Sequence, residues 1–356
     1  PYGGPGGVIY HVGGTLKIGN SDFIENGGYY STGGIINYSD WSEFVGCRFI
    51  SNFVIDFHIP AIYNKDNAPL IINCIFEGNG GIFGSGGAIR NENSNPQIIN
   101  CLFMKNYSDY SAGAITNYGS SPEIINCTFV DNHDYGWTYY GATIHNMSYN
   151  GQDSSPTITN SILWYYSYLF IMNNAPLITN EDSSTATVTF SNIDQDGYEG
   201  QNGNIRQDPM FYDTGWDDNG TPDDPSDDIW VGGDYHLQLD SPCIDAGDNA
   251  AVPPDTTDLD NDGDTDEPIP QDLDGEPRIV DGIVDMGAYE YPLPPWYVDS
   301  DIAVSGNGTS WAEAFKTIQE AIDAAYPGDE IWVKQGTYFV SSTINVDKSV
   351  FIYGGF

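Results

Sequence analysis

The feature that most constrains this chain is a short segment that returns three times in nearly the same form. PLIINCIF begins at Pro69, PQIINCLF at Pro96 and PEIINCTF at Pro122, so successive copies lie 27 and 26 residues apart. A looser copy, PTITNSIL, begins at Pro156. Repetition at a period of roughly 20–50 residues is typical of solenoids, in which each repeat buries its apolar face against its neighbours.

A second motif follows the same period and supplies one asparagine per turn. GGAIRN, AGAITN and GATIHN end at Asn91, Asn117 and Asn146, and His11 occupies the equivalent place in the first copy. An isoleucine stands two residues before each of these positions. We interpret the asparagines as a ladder of side-chain amides that hydrogen-bond from turn to turn. The ladder positions are Asn37, Asn64, Asn91, Asn117, Asn146 and Asn173.

The copied segments also align cysteine and phenylalanine into two columns. The cysteines are Cys47, Cys74, Cys101 and Cys127, and a phenylalanine follows each of them two residues later. Because side chains alternate between the two faces of a strand, both columns are expected to point inward and the residues between them to face solvent. We interpret the cysteines as small packing residues. A metal site is one alternative, and a disulfide between Cys47 and Cys74 or between Cys101 and Cys127 is another.

Short strand-like pieces with apolar columns and no helical periodicity predict an all-β fold, a solenoid of parallel strands that stack like residue on like. We place about seven turns in residues 1–193. The pattern resembles the right-handed parallel β-helix repeat of bacterial surface and secreted proteins, a fold shared with pectate lyases. In this register Asp22 lies beside Arg48, and Lys65 lies beside Glu92, pairs that we interpret as structural.

Charge narrows the range of partners. The 356-residue chain has 10 Lys and Arg against 51 Asp and Glu, a net charge of −41. Affinity for nucleic acids and for anionic membrane surfaces comes from Lys and Arg, so neither is an expected partner. The chain has no apolar run of about 18 residues, which predicts no membrane-spanning helix. Residues 194–291 contain 28 of the acids and only two arginines, and we predict an acidic, loop-rich closing segment there.

Within the closing segment, DLDNDGDTD reproduces the spacing of a calcium loop. Alternate positions carry carboxylates, and Gly263 allows the sharp turn that gathers them around one hard cation. An EF-hand loop needs a glutamate at its twelfth position, which is Ile269 here, so the loop more closely resembles the thrombospondin type 3 style. A solvated acidic loop is the alternative. The predicted Ca²⁺ ligands are Asp258, Asp260, Asp262, Asp264 and Asp266.

A less regular acidic stretch offers a second calcium site, with Asp217, Asn219 and Asp223 as candidate ligands. Crowded carboxylates repel one another in the absence of cations, which is the physical reason to expect Ca²⁺ at either stretch.

Three sequence segments within residues 194–291 are similar to the C-terminal end of β-helix proteins of the choice-of-anchor Q type. They are GNIRQDPMF, GDYHLQLDSPCIDAGD and DLDGEPRIVDGIVDMGAYEY. The resemblance implies secretion and an extracellular or cell-surface location, and it carries no enzymatic activity with it.

The last part of the chain predicts a Pro-rich linker over residues 292–298 and a cap module over residues 299–356. A helix is predicted over residues 311–325, with Ser310 as its N-cap and Glu313 as the capping-box partner. GDEIWVKQGTYFV and SVFIYGGF predict strands. The module resembles the beginning of a β-helix, where an amphipathic helix caps the first turn.

A starting cap at the C-terminal side and a first coil without a cap suggest two arrangements. Either the cap of one molecule docks head to tail on the first coil of the next, or the chain is one period of a tandem array. The residues predicted to contribute to assembly are Trp311, Phe315, Ile352 and Phe356.

Together these features predict a non-catalytic extracellular structural protein stabilised by Ca²⁺, as the protomer of a filament or sheath or as part of a tandem stalk. An enzyme is disfavoured because the coils show neither a column of acids nor an acid cluster beside Arg90 or Lys105. The alternative is a surface adhesin or a polysaccharide-binding module, with polysaccharide degradation a weaker option. Candidate sugar-stacking residues are Trp137, Tyr139, Tyr140, Trp164, Tyr165 and Tyr166.

Overall fold

A computed structural model describes most of the chain and divides it into two compact units, residues 1–291 and residues 292–356. The two regions predicted as coils (1–193) and closing segment (194–291) therefore belong to one unit. The described residues are 8–29, 33–55, 61–82, 86–109, 111–134, 143–166, 176–217, 228–292, 295–325, 329–340, 342–346, 348 and 350–356.

Four parallel sheets, named A to D, form the coils of the first unit. Sheet A contains Ile9–Val12, Ile35–Tyr38, Ile62–Lys65, Ile89–Glu92, Ile115–Tyr118, Ile144–Met147 and Ile178–Asn180. Sheet B contains Thr15–Gly19, Trp41–Val45, Leu70–Ile72, Gln97–Ile99, Glu123–Ile125, Thr157–Thr159 and Thr187–Thr189. Sheet C contains Asp22–Ile24, Arg48–Ile50, Ile75–Glu77, Leu102–Met104, Thr128–Val130, Ile162–Trp164 and Asn192–Ile193. Sheet D contains Gly27–Tyr29, Phe53–Ile55, Gly80–Ile82, Tyr107–Ser108 and His133–Asp134.

The register of these sheets places each residue on its equivalent in the next turn. Phe76 pairs with Phe103 in sheet C, and Asn91 pairs with Asn117 in sheet A. The predicted parallel solenoid is confirmed, with about six turns instead of about seven. The predicted cross-turn ion pairs also form, between Asp22 and Arg48 at 2.6 Å and between Lys65 and Glu92.

Stacked phenylalanines run through the interior. Their ring centroids lie 4.6–5.0 Å apart with interplanar angles of 4–6°. Because this separation matches the spacing between neighbouring strands, the strand pairing itself sets the ring stack. The stacked residues are Phe23, Phe49, Phe76, Phe103 and Phe129.

The asparagine inside each IINC copy turns the chain from sheet B into sheet C. Asn73, Asn100 and Asn126 have φ of 51°, 50° and 50°, which is the left-handed region that asparagine tolerates better than most residues. The corner amides of Asn73 and Asn100 then donate to backbone carbonyls of the closing segment, at Asp272 (3.0 Å) and Gln271 (2.8 Å). The repeated motif thus shapes the corner and anchors the segment that crosses it.

The closing segment contains two short antiparallel hairpins. Phe211–Asp213 pairs with Asp234–Leu237, and Trp216–Asp217 pairs with Ile229–Trp230. A 3₁₀ turn follows at Asn249–Ala251. The rest of the described closing segment is loops and turns.

The closing segment covers the outer faces of sheets B and C. Leu102, Thr128 and Ile162, which lie between the Cys and Phe columns and were expected to face solvent, are buried. The expectation is wrong at these positions because Leu102 and Ile162 pack in one apolar cluster with Met286. Thr128 Oγ1 accepts a hydrogen bond from the backbone N–H of Ala288 at 2.9 Å. Outward apolar residues in these turns therefore mark a covered face.

A buried ion pair organises the end of the closing segment. Arg278 is fully buried and its Nη2 donates to Glu290 Oε2 at 2.8 Å. Glu290 also accepts from the backbone N–H groups of Asp285 (3.0 Å) and Val280 (2.9 Å). Burial raises the pKa of the Glu290 carboxyl, and the Arg278 guanidinium opposes that rise. Neither charge has access to water, so each depends on the other for compensation.

The second unit is built on a three-stranded parallel sheet of Trp296–Val298, Glu330–Val333 and Phe351–Gly354. Its first strand lies inside the segment predicted to be a linker. The predicted helix over 311–325 is wrong in its extent, since a 3₁₀ turn covers Trp311–Glu313 and helix α1 covers Ile318–Ala324. Ser310 caps the 3₁₀ turn as expected, but Thr317 and Glu320 form the capping box of α1.

The predicted helix is interrupted because the chain between its two pieces hydrogen-bonds to the first strand of the sheet. The backbone N–H of Phe315 donates to Tyr297 O at 2.8 Å, which is a strand-like contact inside the predicted helix. No helix within the described ranges is long and apolar enough to cross a membrane.

Candidate functional site

The predicted calcium loop is a closed hairpin-like turn. Its base is fastened by backbone hydrogen bonds from Asp255 N–H to Glu267 O (2.8 Å) and from Ile269 N–H to Pro253 O (2.9 Å). Inside the loop, Gly263 N–H donates to Asp258 Oδ1 at 3.0 Å. The loop therefore brings three of its five alternating carboxylates together, those of Asp258, Asp260 and Asp262.

Two groups of carboxylates form in this loop, and they share Asp260. Asp258, Asp260 and Asp262 offer oxygens that all lie within 4.8 Å of one another, and so do Asp255, Asp260 and Glu267. The first group contains three of the predicted ligands. Asp264 and Asp266, the other two, belong to neither group among the described residues. Asp255 and Glu267 lie outside the DLDNDGDTD spacing, so motif matching missed them.

Glu267, a member of the second group, has surroundings that disfavour its charged form. Its Oε1 is buried and accepts no hydrogen bond from the described residues. Desolvation and the neighbouring carboxylates of Asp262 and Asp260 raise the pKa of Glu267. A buried carboxylate oxygen without a donor is costly, and a hard cation is the partner that oxygens of this kind prefer.

Ile269 explains the departure from the EF-hand spacing. Its side chain is buried in an apolar cluster with Leu70, Ile72 and Ile99 on the outer face of sheet B. The position that supplies a bidentate glutamate in an EF-hand loop therefore attaches this loop to the coils. Glu267, two residues earlier, brings a carboxylate close to those of Asp255 and Asp260.

The second acidic stretch lies mostly outside the described residues. Asp217 is exposed on the strand Trp216–Asp217. Asn219 and Asp223 lie outside the described ranges, so that predicted site stays a prediction.

The predicted asparagine ladder continues through six turns of sheet A. Successive amides donate Nδ2 to the next Oδ1 over distances of 2.8–3.1 Å. His11 pairs with Asn37 at its start, as expected. The last position is wrong, because Asn146 donates to Asn180 at 2.8 Å and pairs with it in the sheet. Asn173 lies outside the described residues. The ladder is Asn37, Asn64, Asn91, Asn117, Asn146 and Asn180.

A second asparagine ladder lies between sheets C and D, and the sequence analysis did not identify it. Each amide donates to the next Oδ1 at 2.8–3.0 Å, and four of them also donate to the carbonyl of a core phenylalanine. These asparagines recur every 26 or 27 residues, the same period as most of the first ladder, and this spacing could have identified them from the sequence. The members are Asn26, Asn52, Asn79, Asn106 and Asn132.

The cysteine column is a packing column. All five cysteines are buried and free, so the proposed disulfides Cys47–Cys74 and Cys101–Cys127 are wrong. Instead, the backbone N–H of Cys47 donates to Cys74 Sγ, and that of Cys101 to Cys127 Sγ, both at 3.4 Å. Burial raises the pKa of the Cys74 and Cys101 thiols. No group of potential metal ligands within the described ranges includes a cysteine.

The residues predicted to contribute to assembly lie on the second unit in different environments. Ile352 and Phe356 are exposed, at 44% and 49%. Trp311 is also exposed and its ring lies 6.1 Å from that of Phe356. Phe315 is half-buried against Trp296, with ring centroids 5.7 Å apart. Three of the four side chains are therefore available to a partner.

The aromatic residues suggested as a sugar-stacking cluster do not form an open surface where the structure describes them. Tyr165 is buried, and its hydroxyl donates to Asn132 O at 2.9 Å. Tyr166 donates to Asp208 at 2.7 Å, and Trp164 packs beneath the closing segment. Trp137, Tyr139 and Tyr140 lie outside the described residues.

Each of the two basic residues considered for catalysis has an acidic neighbour among the described residues. Arg90 Nη2 lies 3.2 Å from Glu92, which Lys65 also contacts. Lys105 Nζ lies 3.7 Å from the ring centroid of Trp216, and burial lowers its pKa to about 8, against the attraction of Asp131.

These observations define the class of protein as a parallel β-solenoid repeat protein with an acidic segment that closes over two of its sheets. Comparisons with protein-family profiles, with curated proteins and with solved structures each find no match for this chain.

Proposed function

We propose that this chain is a non-catalytic structural protein of the cell exterior, stabilised by Ca²⁺, whose solenoid is extended end to end by further coils. The extension is either a head-to-tail filament or sheath or a stalk of tandem copies. The amino-acid sequence of the closing segment supports a protein of the choice-of-anchor Q type. The observation that carries the proposal is a pair of exposed sheet edges with the same pattern of inward and outward residues.

The first edge belongs to Ile9–Val12, the outermost strand of sheet A. It pairs with Ile35–Tyr38 on one side, and no described strand pairs with the other side. Tyr10 and Val12 are exposed, while Ile9 packs against the core. An open edge of this kind presents unpaired backbone groups that readily accept another strand.

The second edge belongs to Phe351–Gly354, the outermost strand of the second unit. It pairs only with Glu330–Val333 among the described strands. Phe351, Ile352 and Tyr353 are all exposed, although Ile352 pairs with the fully buried Ile331. Ile352 thus continues the inward column of Ile331, and no described strand adds a further residue to that column.

The two edges fit in one register. If Ile352 of one copy lies on Ile9 of another, the inward column reads Ile331, Ile352, Ile9 and Ile35. The outward column then reads Trp332, Tyr353 and Tyr10, so aromatic residues continue outside and aliphatic ones inside. Strands added at the usual spacing of about 4.8 Å would bury these side chains and pair both edges. A contact between two different surfaces propagates into a fibre or a stalk when its rotation does not close a ring.

Calcium and the absence of catalysis are supported by separate features. The two carboxylate groups that share Asp260 are the support for Ca²⁺. On the outer face of sheet A, Glu92 is buried and is held by Lys65, Arg90 and Tyr63. A carboxylate with three partners is a poor general acid or base, which favours a structural assignment.

The test is sedimentation velocity of the purified chain in millimolar Ca²⁺ over a range of concentrations, followed by electron microscopy of the largest species. We expect concentration-dependent elongated assemblies, and we expect Ile352→Asp to abolish them, because it places a charge in the inward column. Phe339→Asp is the matched control, since Phe339 is 91% exposed in the same unit but lies outside the sheet. A parent chain that stays monomeric, from a gene without tandem copies, contradicts the proposal.

A further inference from the structure

The outer face of sheet A carries a continuous row of aromatic rings, which we name the aromatic strip. Outward positions of its strands alternate with the inward Ile and Asn columns, so the rings on these strands stand on the side away from the core. Tyr149 follows the strand Ile144–Met147 and lies outside the sheet. Tyr10 is 52% exposed and the other members are half-buried. The members are Tyr10, Tyr38, Tyr63, Tyr118 and Tyr149, with Arg90 between Tyr63 and Tyr118.

Each member of the strip contacts the next. The ring centroids of Tyr10 and Tyr38 are 5.9 Å apart, and those of Tyr38 and Tyr63 are 5.8 Å apart. The Arg90 guanidinium carbon lies 5.6 Å from the Tyr63 centroid and 4.4 Å from that of Tyr118, which in turn lies 6.4 Å from Tyr149. The strip crosses five consecutive strands, which corresponds to roughly 20 Å along the solenoid axis.

The charged groups at the strip are paired with one another, and two bases against one acid leave one unit of positive charge. Glu92 accepts from Tyr63 Oη at 2.8 Å and contacts both Lys65 and Arg90. Burial, with Glu92 beside it, raises the pKa of the Tyr63 hydroxyl. The strip therefore presents partly exposed aromatic rings, hydrogen-bonding groups and one unit of positive charge, on a chain whose total charge is −41.

We propose that the aromatic strip binds a linear, electrically neutral polysaccharide that lies along the solenoid axis. Sugar rings present apolar C–H faces that stack on aromatic side chains, and their hydroxyls need the fixed donors and acceptors that Lys65, Arg90 and Glu92 provide. An anionic polymer would meet the repulsion of a chain with a net charge of −41, against which the one unit of positive charge at the strip is small. Because the members of the strip follow one another from turn to turn along the axis, they fit a repeating chain ligand better than a compact one. Tyr10 also lies on a strand edge proposed for assembly, whereas Tyr38, Tyr63 and Tyr118 lie on strands that are paired on both sides.

The test is a glycan array that carries neutral and acidic oligosaccharides, followed by calorimetric titration of the best neutral ligand. We expect binding to neutral glycans, with affinity at least about fivefold lower for Tyr38→Ala and for Tyr118→Ala, because each removes one stacking ring. Tyr212→Ala is the matched control, since Tyr212 is exposed on the closing segment and outside the strip. It should bind as the parent does.

Thermal unfolding of every variant verifies that the solenoid is intact, and Tyr10→Ala provides a variant at the most exposed position of the strip. Three results overturn the proposal: no glycan on the array binds, only acidic glycans bind, or the strip variants bind as tightly as Tyr212→Ala. Glycan binding is measured in the Ile352→Asp background, in which we expect the chain to stay monomeric. Failure of glycan binding can therefore be distinguished from failure of end-to-end assembly.

Discussion

The coils and the closing segment belong to one compact unit, yet they are stabilised in opposite ways. In the coils the main interactions recur: the Phe stack, the Cys column and both asparagine ladders repeat one contact over several successive turns. The closing segment repeats nothing, and its fold depends on contacts that occur once, such as the Arg278–Glu290 pair. A repeat distributes its stability over many similar interfaces, whereas a single-copy network concentrates it.

The largest effect that tests this contrast is expected from removing the buried guanidinium of Arg278 in the closing segment. We expect Arg278→Met to lower the free energy of unfolding by about 3–5 kcal/mol, because Glu290 is left buried and uncompensated. Urea denaturation followed by circular dichroism measures the loss. Arg206→Met is the matched control, since its pair with Asp194 is partly exposed and is expected to contribute under about 1 kcal/mol.

A double variant separates charge compensation from packing. Arg278→Met combined with Glu290→Leu should recover a substantial part of the stability lost in the single variant, because no charge is then left without a partner. If the single variant loses no more than Arg206→Met does, the closing segment does not depend on this pair.

The next effect concerns the calcium loop. We expect Ca²⁺ at about a hundredfold above its dissociation constant to raise the free energy of unfolding by about 2.7 kcal/mol relative to chelator. Asp260→Asn should remove most of this gain, because Asp260 belongs to both carboxylate groups. Asp266→Asn, a change of equal charge outside both groups, should retain it. Identical melting temperatures in Ca²⁺ and in chelator would remove calcium from the proposed function.

Within the coils, the second asparagine ladder offers a smaller and graded effect. Asn79 is fully buried and its amide bonds Asn106 Oδ1 at 2.9 Å and Phe49 O at 2.7 Å. We expect Asn79→Ala to cost about 2 kcal/mol, since buried partners lose their hydrogen bonds. Asn26→Ala, at the half-buried end of the ladder, should cost less. Equal losses at both positions would show that the ladder's stability is not local to each turn.

The same contrast explains what the sequence could predict. The parallel register, the inward columns and the first asparagine ladder were predictable because a stacked strand must present the same residue type at every turn. The ladder position at Asn173 failed because the last turn is longer: 34 residues, instead of 27, separate Asn146 from its partner Asn180. Periodicity alone cannot locate an insertion.

The closing segment was less predictable because its contacts are made with distant residues. The outward residues Leu102 and Ile162 look like solvent-facing positions until the segment covers them. In the calcium loop, the spacing identified Asp258, Asp260 and Asp262, but Asp255 and Glu267 join only through the backbone pairing at the base of the loop. A motif describes neighbours in sequence, whereas these two carboxylates are neighbours through the fold.

The smallest predicted effects are those of two histidines, which should give the two regions opposite pH dependence. Burial, with Lys105 nearby and against a contact to Asp131 O, lowers the pKa of His133 in sheet D to about 3. The unfolded chain takes up a proton near pH 6.5 that the folded chain does not, so stability is lost as pH falls below roughly 6.5. Between roughly pH 7.5 and 6 the loss is about 1 kcal/mol.

His236 in the closing segment behaves in the other direction. Partial burial lowers its pKa, but hydrogen bonds to Asp234 and, at 2.7 Å, to Asp274 outweigh that effect and raise it. A raised pKa means that the folded chain holds the proton more tightly, so this contribution is present below roughly pH 6.5 and is lost as pH rises through the folded value. Unfolding free energies measured across this range should lose their acid-side slope in His133→Gln and their base-side slope in His236→Gln. If both variants change the same side of the profile, the two regions do not differ in their response to protons.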